Sequence, residues 1–171
     1  PQPVILLTER STLYKDLLYG FDLLCHRVIK VNGRYCITPD FFRSAYWGGR
    51  LDGTIVYSET CEFYGMDGSV DLAMADALLA GGAEAVVGFV NNVYAVYARS
   101  MLWATVNFMI AGDPVATAVQ RSMDLYGTDD LIWYHSQGGR RPHAAAAYPL
   151  IQGRADAVLP TLPAPAPQQA A

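Results

Sequence analysis

GTIVYSETCEFYG, residues 53–65, runs an apolar, β-branched stretch (Thr54, Ile55, Val56, Tyr57) into a polar turn, with Cys61 at its centre and Glu59 and Glu62 on its flanks. A cysteine used for packing sits inside a strand. Cys61 stands just past the carboxyl end of one, where open α/β sheets keep their chemistry. Further on, AEAVVGFV (83–90) reads as a strand buried on both faces, the kind found in parallel sheets. Helices are predicted between and after these strands. One starts at Asp67-Gly68-Ser69, runs to Leu79 and is stopped by Gly81-Gly82. A long one is capped by Asn91 or Asn92 and reaches Ile110, with Tyr94, Tyr97, Met101, Ala104 and Phe108 on one core-facing stripe. Another is opened by Asp113-Pro114 and ended by Gly127. Residues 131–135 and 148–152 read as two further strands. The alternation predicts an α/β domain: a three-layer αβα sandwich with a mainly parallel sheet.

Upstream, residues 4–8 (VILLT) and 20–26 (GFDLLCH) read as short strands. VIKVNGRYCI places Asn32-Gly33 between two strand-like arms and predicts a small β-hairpin insertion. Thr38-Pro39-Asp40 then opens a short helix, Thr38 as N-cap and Pro39 at the first helical position. Residues 1–158 are assigned to the domain. The tract LPTLPAPAPQQAA (159–171) cannot build a core and reads as an extended linker. Both ends are expected to be cuts from a longer polypeptide, with other domains as partners.

Of the 171 residues, 52% are hydrophobic and only 16% charged, a balance that suits a sheet covered on both faces. A net charge of −4 argues against nucleic-acid binding, which needs a basic stripe. The most apolar region, 93–110, carries Arg99, Ser100, Thr105 and Asn107, so no membrane span is expected. Three cysteines allow at most one disulfide; Cys25 and Cys36 fall in strand-like runs and suit ordinary buried positions.

A thiolate is a good nucleophile, but a thiol needs a base in reach. There are three histidines: His26 and His135 each end a strand-like run, and His143 lies in a Gly/Arg/Ala loop beside Arg140-Arg141-Pro142. Asp22, Glu59, Glu62 and Asp67 are candidates for an acidic pocket that takes Lys or Arg, against the simpler reading of solvated surface carboxylates.

GFDLLCHR followed by TIVYSETCEFYG, with Cys61 35 positions after His26, resembles the caspase-like cysteine peptidases, the group of caspases, legumains, clostripain and gingipains. Glu59-Thr60-Cys61-Glu62 is similar to the legumain-type Glu-Ala-Cys-Glu signature. The run from Leu72 through Ser122 and the closing YPLIQGRAD resemble the bacterial members, and the likeness covers residues 18–156. The resemblance implies peptide or protein substrates, with Cys61 as nucleophile and His26 as general acid/base. Backbone N–H groups near Cys61 and Arg27 would hold the oxyanion, with Glu59 and Glu62 facing substrate. It implies no metal or organic cofactor in the reaction; calcium is bound structurally in some members. It leans the compartment toward the extracellular or cell-surface side.

Two departures from the family separate two functions. The early strands that precede the histidine in the family are reduced here to residues 4–8. The family's glycine after the histidine is Arg27 here, a poorer fit to the conformation that turns a backbone N–H toward an oxyanion. The leading expectation is a cysteine endopeptidase. The alternative is a catalytically inactive caspase-like module acting as an interaction or scaffold domain. A third reading, an amidotransferase-type enzyme pairing Cys61 with His135, lacks the glycines that flank a sharp nucleophile elbow.

Overall fold

The structure, a computed structural model, describes residues 3–138 and 145–160. It mixes helices and strands, and its α/β character centres on one strand, β7 (Ala85–Val90), with all six residues buried. Strands β1 (Ile5–Arg10), β2 (Val28–Val31) and β3 (Arg34–Ile37) come first in the chain; β4 (Ile55–Tyr57), β5 (Gly65–Met66) and β6 (Ser69–Val70) lie between them and β7, and β8 (Tyr148–Gly153) closes it. The helices are α1 (Leu13–Leu18), α2 (Gly20–Leu24), α3 (Pro39–Ala45), α4 (Ala73–Ala80), α5 (Ala95–Ile110), α6 (Val115–Tyr126) and α7 (Asp130–Ser136).

Buried on both faces, β7 must have both edges paired and both faces covered. β4 pairs with it in parallel, Val56 opposite Val86, and β8 pairs antiparallel along its full length, from Ala85–Gly153 to Val90–Tyr148. Its side chains alternate between faces as a strand requires. Val86 and Val90 pack with Met74, Ala75 and Leu78 of α4. Ala85 and Val87 pack with Met109 of α5 and Val115, Ala118 and Val119 of α6, while Phe89 meets Tyr97 and Met101 of α5. Gly88 is the one residue without a side chain here because Phe63 fills the place: a Cβ would stand 2.9 Å from the Phe63 Cγ.

The first three strands form a separate antiparallel sheet in the order β1-β3-β2. Asn32 and Gly33 take φ of 50° and 74°, the left-handed pair that the tight hairpin turn between β2 and β3 requires. Thr38 occupies the N-cap position of α3, as its sequence reads, but its hydroxyl serves elsewhere, donating to the carbonyls of His26 (2.8 Å) and Arg27 (3.1 Å).

Five expectations are corrected. The sheets are not mainly parallel: β4–β7 is the one parallel pair among the described strands, and the others are antiparallel. Residues 20–26 are not a strand. They continue α1 through Tyr19 into α2, with Leu23 N–H donating to the Tyr19 carbonyl, because this apolar run is not buried and has no sheet to join. Residues 131–135 belong to α7: the Asp129 side chain accepts from the N–H groups of Leu131 and Ile132, and Tyr134 stacks on Tyr94 at 4.6 Å. Asp67-Gly68 turns the β5–β6 hairpin instead of opening a helix; α4 begins later, where Asp71 accepts from Ala73 N–H. α5 likewise begins at Ala95 behind Tyr94, leaving Asn91 for another task. The residues of the Arg140-Arg141-Pro142 loop and of the tract from 161 onward lie outside the described residues.

Gly88→Ala is expected to lower stability by about 1–3 kcal/mol, because the new methyl displaces Phe63 from the core; urea unfolding of the two proteins measures it. Burial pushes the phenols of Tyr57, Tyr64 and Tyr97 far above the ordinary tyrosine value of 10.0. The folded state therefore holds these protons more tightly than the unfolded chain. That contribution is complete below the ordinary tyrosine value and is lost as pH rises above it. Phenolate absorbance during alkaline titration should show these three tyrosines ionising only together with unfolding.

Candidate functional site

β4 carries the chain to the rim formed by the carboxyl ends of β4 and β7, and Ser58 N–H still donates to Val87. Residues 59–62 then loop outward. Pairing resumes beyond the loop, with Glu62 N–H on the Asn91 carbonyl (2.8 Å), Tyr64 N–H on Phe89 (3.1 Å) and Asn91 N–H on Gly65 (2.9 Å). Glu62 takes a left-handed φ of 54° to make that return. The excursion leaves Cys61 exposed, beside a cleft of about 600 Å³ that Cys61 lines together with Val4, Ile5, Met66, Asp71 and Met74.

The thiol of Cys61 donates to the Val93 carbonyl at 3.5 Å. Its flanking carboxylates are held apart from it: Glu59 pairs with Arg99 of α5 at 3.4 Å, and Glu62 accepts from the Asn92 amide at 2.7 Å. The loop is anchored below by a knot of hydrogen bonds built on the buried Asn91. Asn91, only 1% exposed and with φ of 66°, accepts from Asp67 N–H through its carbonyl oxygen (2.9 Å). Its amide donates to the Asp67 carboxylate and to the Ala146 carbonyl, both at 2.8 Å. Asp67 in turn accepts from the Tyr148 hydroxyl at 3.0 Å, a bond that raises the phenol's pKa. Next to it, the buried Asp130 accepts from the N–H groups of Tyr94 (3.0 Å) and Ala147 (2.7 Å). The knot therefore ties the ends of β7 and β8, the β5–β6 turn and the start of α5 into one rim.

His26 is exposed in the turn between α2 and β2, with a left-handed φ of 55°. Its N–H donates to Leu23 and its carbonyl accepts from Thr38. Among the described residues no hydrogen bond or ring contact joins His26 to Cys61, and His26 does not line the cleft. Arg27 is folded back on its own helix: its N–H donates to the Asp22 carbonyl, its guanidinium pairs with the Asp22 carboxylate at 2.6 Å and it lies 4.8 Å from the Phe21 ring centre. Asp22, Glu59, Glu62 and Asp67 thus each have a separate partner, and do not share a pocket that could read Lys or Arg. His135 is exposed in the last turn of α7 against Tyr134, and His143 lies outside the described residues. The three cysteines are free. Cys36 is buried in β3, where desolvation pushes its thiol up, whereas Cys25 is exposed at the end of α2 rather than buried in a strand. No three His, Cys, Asp or Glu side chains gather as a metal-holding group among the described residues.

The chain matches no family model, no curated protein and no solved structure. The described residues contain no helix long and apolar enough to cross a membrane.

Asn91 and Asp130 were not singled out as site residues from the sequence, and Asp67 was read there only as a candidate for an acidic pocket. The readable signal was the Asn91-Asn92 pair directly after a buried strand, which suits a left-handed turn as well as it suits a helix cap. Asn91→Ala removes the side-chain partner of the exposed Asp67 N–H and carboxylate and the amide donor of the Ala146 carbonyl, and keeps a φ that alanine resists. It is expected to cost about 2–4 kcal/mol in urea unfolding, and Asn91→Gly somewhat less, since only the hydrogen bonds are lost.

Proposed function

We propose that this chain is a caspase-like module that serves as an interaction or scaffold domain, with His26 and Cys61 not working as a catalytic dyad. One observation carries the reading. The Cys61 S–H is directed at the Val93 carbonyl, a group that cannot take its proton, while His26, in the turn after α2, neither bonds to the thiol nor lines its cleft. The neighbouring Arg27 supports it, since the N–H that would serve an oxyanion is committed to Asp22. Helices on both faces of β7 and a thiol loop at the carboxyl ends of β4 and β7 fit the three-layer αβα arrangement that the resemblance implies.

The exposed thiol beside a cleft favours a second reading, the cysteine endopeptidase. There Cys61 gives its proton to His26, once the turn carrying His26 has moved to the rim, and the thiolate attacks the scissile carbonyl; the C–N bond breaks as His26 passes that proton to the leaving amine, and water then hydrolyses the Cys61 thioester.

A mixed-sequence fluorogenic peptide library, with and without calcium, separates the two. The module reading expects no turnover that disappears in a folded Cys61→Ala variant; turnover lost in that variant establishes the peptidase. Alkylation adds a second readout. Without a base, Cys61 should react with iodoacetamide within about tenfold of the exposed Cys25, whereas an activated thiolate reacts far faster.

A further inference from the structure

We infer that the outer face of α1 and α2 is the self-association surface of this chain, and that its occupant is a second copy. The two helices run almost without interruption from Leu13 to Leu24, and their amphipathicity is inverted. Their polar and aromatic side docks on the β1-β3-β2 sheet: Asp16 accepts from the Tyr35 hydroxyl at 2.8 Å, Tyr19 donates to Glu9, and the Tyr19 and Tyr35 rings meet edge-on at 5.1 Å. Their aliphatic side points away from the protein. Leu13 (80% exposed), Tyr14, Leu17 (77%), Leu18, Phe21 and Leu24 (77%) recur at helical spacing on that outer face. A helix stripe of this kind is normally the part that is buried.

Size and charge select the occupant. Leu, Tyr and Phe side chains at these exposures present on the order of 700–800 Å², close to the roughly 800 Å² per partner of a standard stable interface. Three charge pairs around the face close within the chain, Lys15 on Glu9, Lys30 on Asp16 and Arg27 on Asp22. They leave no net charge of their own to draw the face to an anionic lipid surface or to an oppositely charged partner; Arg10 and Arg34 stand opposite each other at the β1–β3 end. A neutral apolar stripe is complementary to itself when two copies meet about a two-fold axis. The inference is independent of how the Cys61 site works.

Sedimentation equilibrium of the full chain over a concentration series, repeated for Leu17→Glu and Val96→Glu, tests it. Leu17 and Val96 are both exposed, so neither change should unfold the chain, and circular dichroism checks this. Expected are a dimer for the wild type, self-association weakened about a hundredfold or more by Leu17→Glu, and no change for Val96→Glu on α5. A wild type that stays monomeric overturns the inference, whether or not it binds anionic lipid vesicles. So does a Leu17→Glu variant that still dimerises, or a Val96→Glu variant that dissociates equally.

Discussion

The β4-β7-β8 sheet and the helices packed on it are placed by the need to bury β7 completely. A strand with six residues out of water needs partners for all of its backbone groups and apolar cover on two faces. β4 and β8 supply the first; α4 on one side and α5 with α6 on the other supply the second. Phe63 completes the cover above Gly88, and that single packing decision pins the chain two residues beyond Cys61 to the core. The thiol's exposure is therefore a consequence of the fold. Val56 and Tyr57 are fixed in the ladder, Phe63 is fixed over Gly88, and the residues between them have nowhere to go but outward.

At the rim the backbone turns on two left-handed residues, Glu62 and Asn91, facing each other through one hydrogen bond. Such conformations persist when their surroundings over-determine them. Here the determination is the Asn91–Asp67–Tyr148 chain together with the buried Asp130. These groups make a rigid platform, but they spend their hydrogen bonds on each other and on the backbone. The thiol they support faces a carbonyl. A platform of this kind suits display of a loop to a partner as well as it suits catalysis.

Strands that were buried or hairpin-paired could be read directly. AVVGFV, the Asn32-Gly33 turn and YPLIQG carry their burial or turn chemistry in their own residues. The runs 20–26 and 131–135 were misread for a shared physical reason: a short apolar run has no period that distinguishes strand from helix. In the second run the decision lay just upstream, in the Asp129 cap. In the first it lay in tertiary placement, since an apolar run that faces outward gains nothing from strand pairing. The site followed the same division. Cys61's position past a strand end was legible because the strand was. The location of His26 was not, because it rested on the misread run, and the Asn91 knot depends on residues far apart in the chain that no local pattern connects.

The most direct measurement is a crystal structure of the chain, read for the distance between the Cys61 sulfur and the nearer His26 ring nitrogen. The account predicts separation well beyond hydrogen-bond reach, with the sulfur against the Val93 carbonyl. A sulfur-to-nitrogen distance within about 4 Å would contradict it and return His26 and Cys61 to a working dyad.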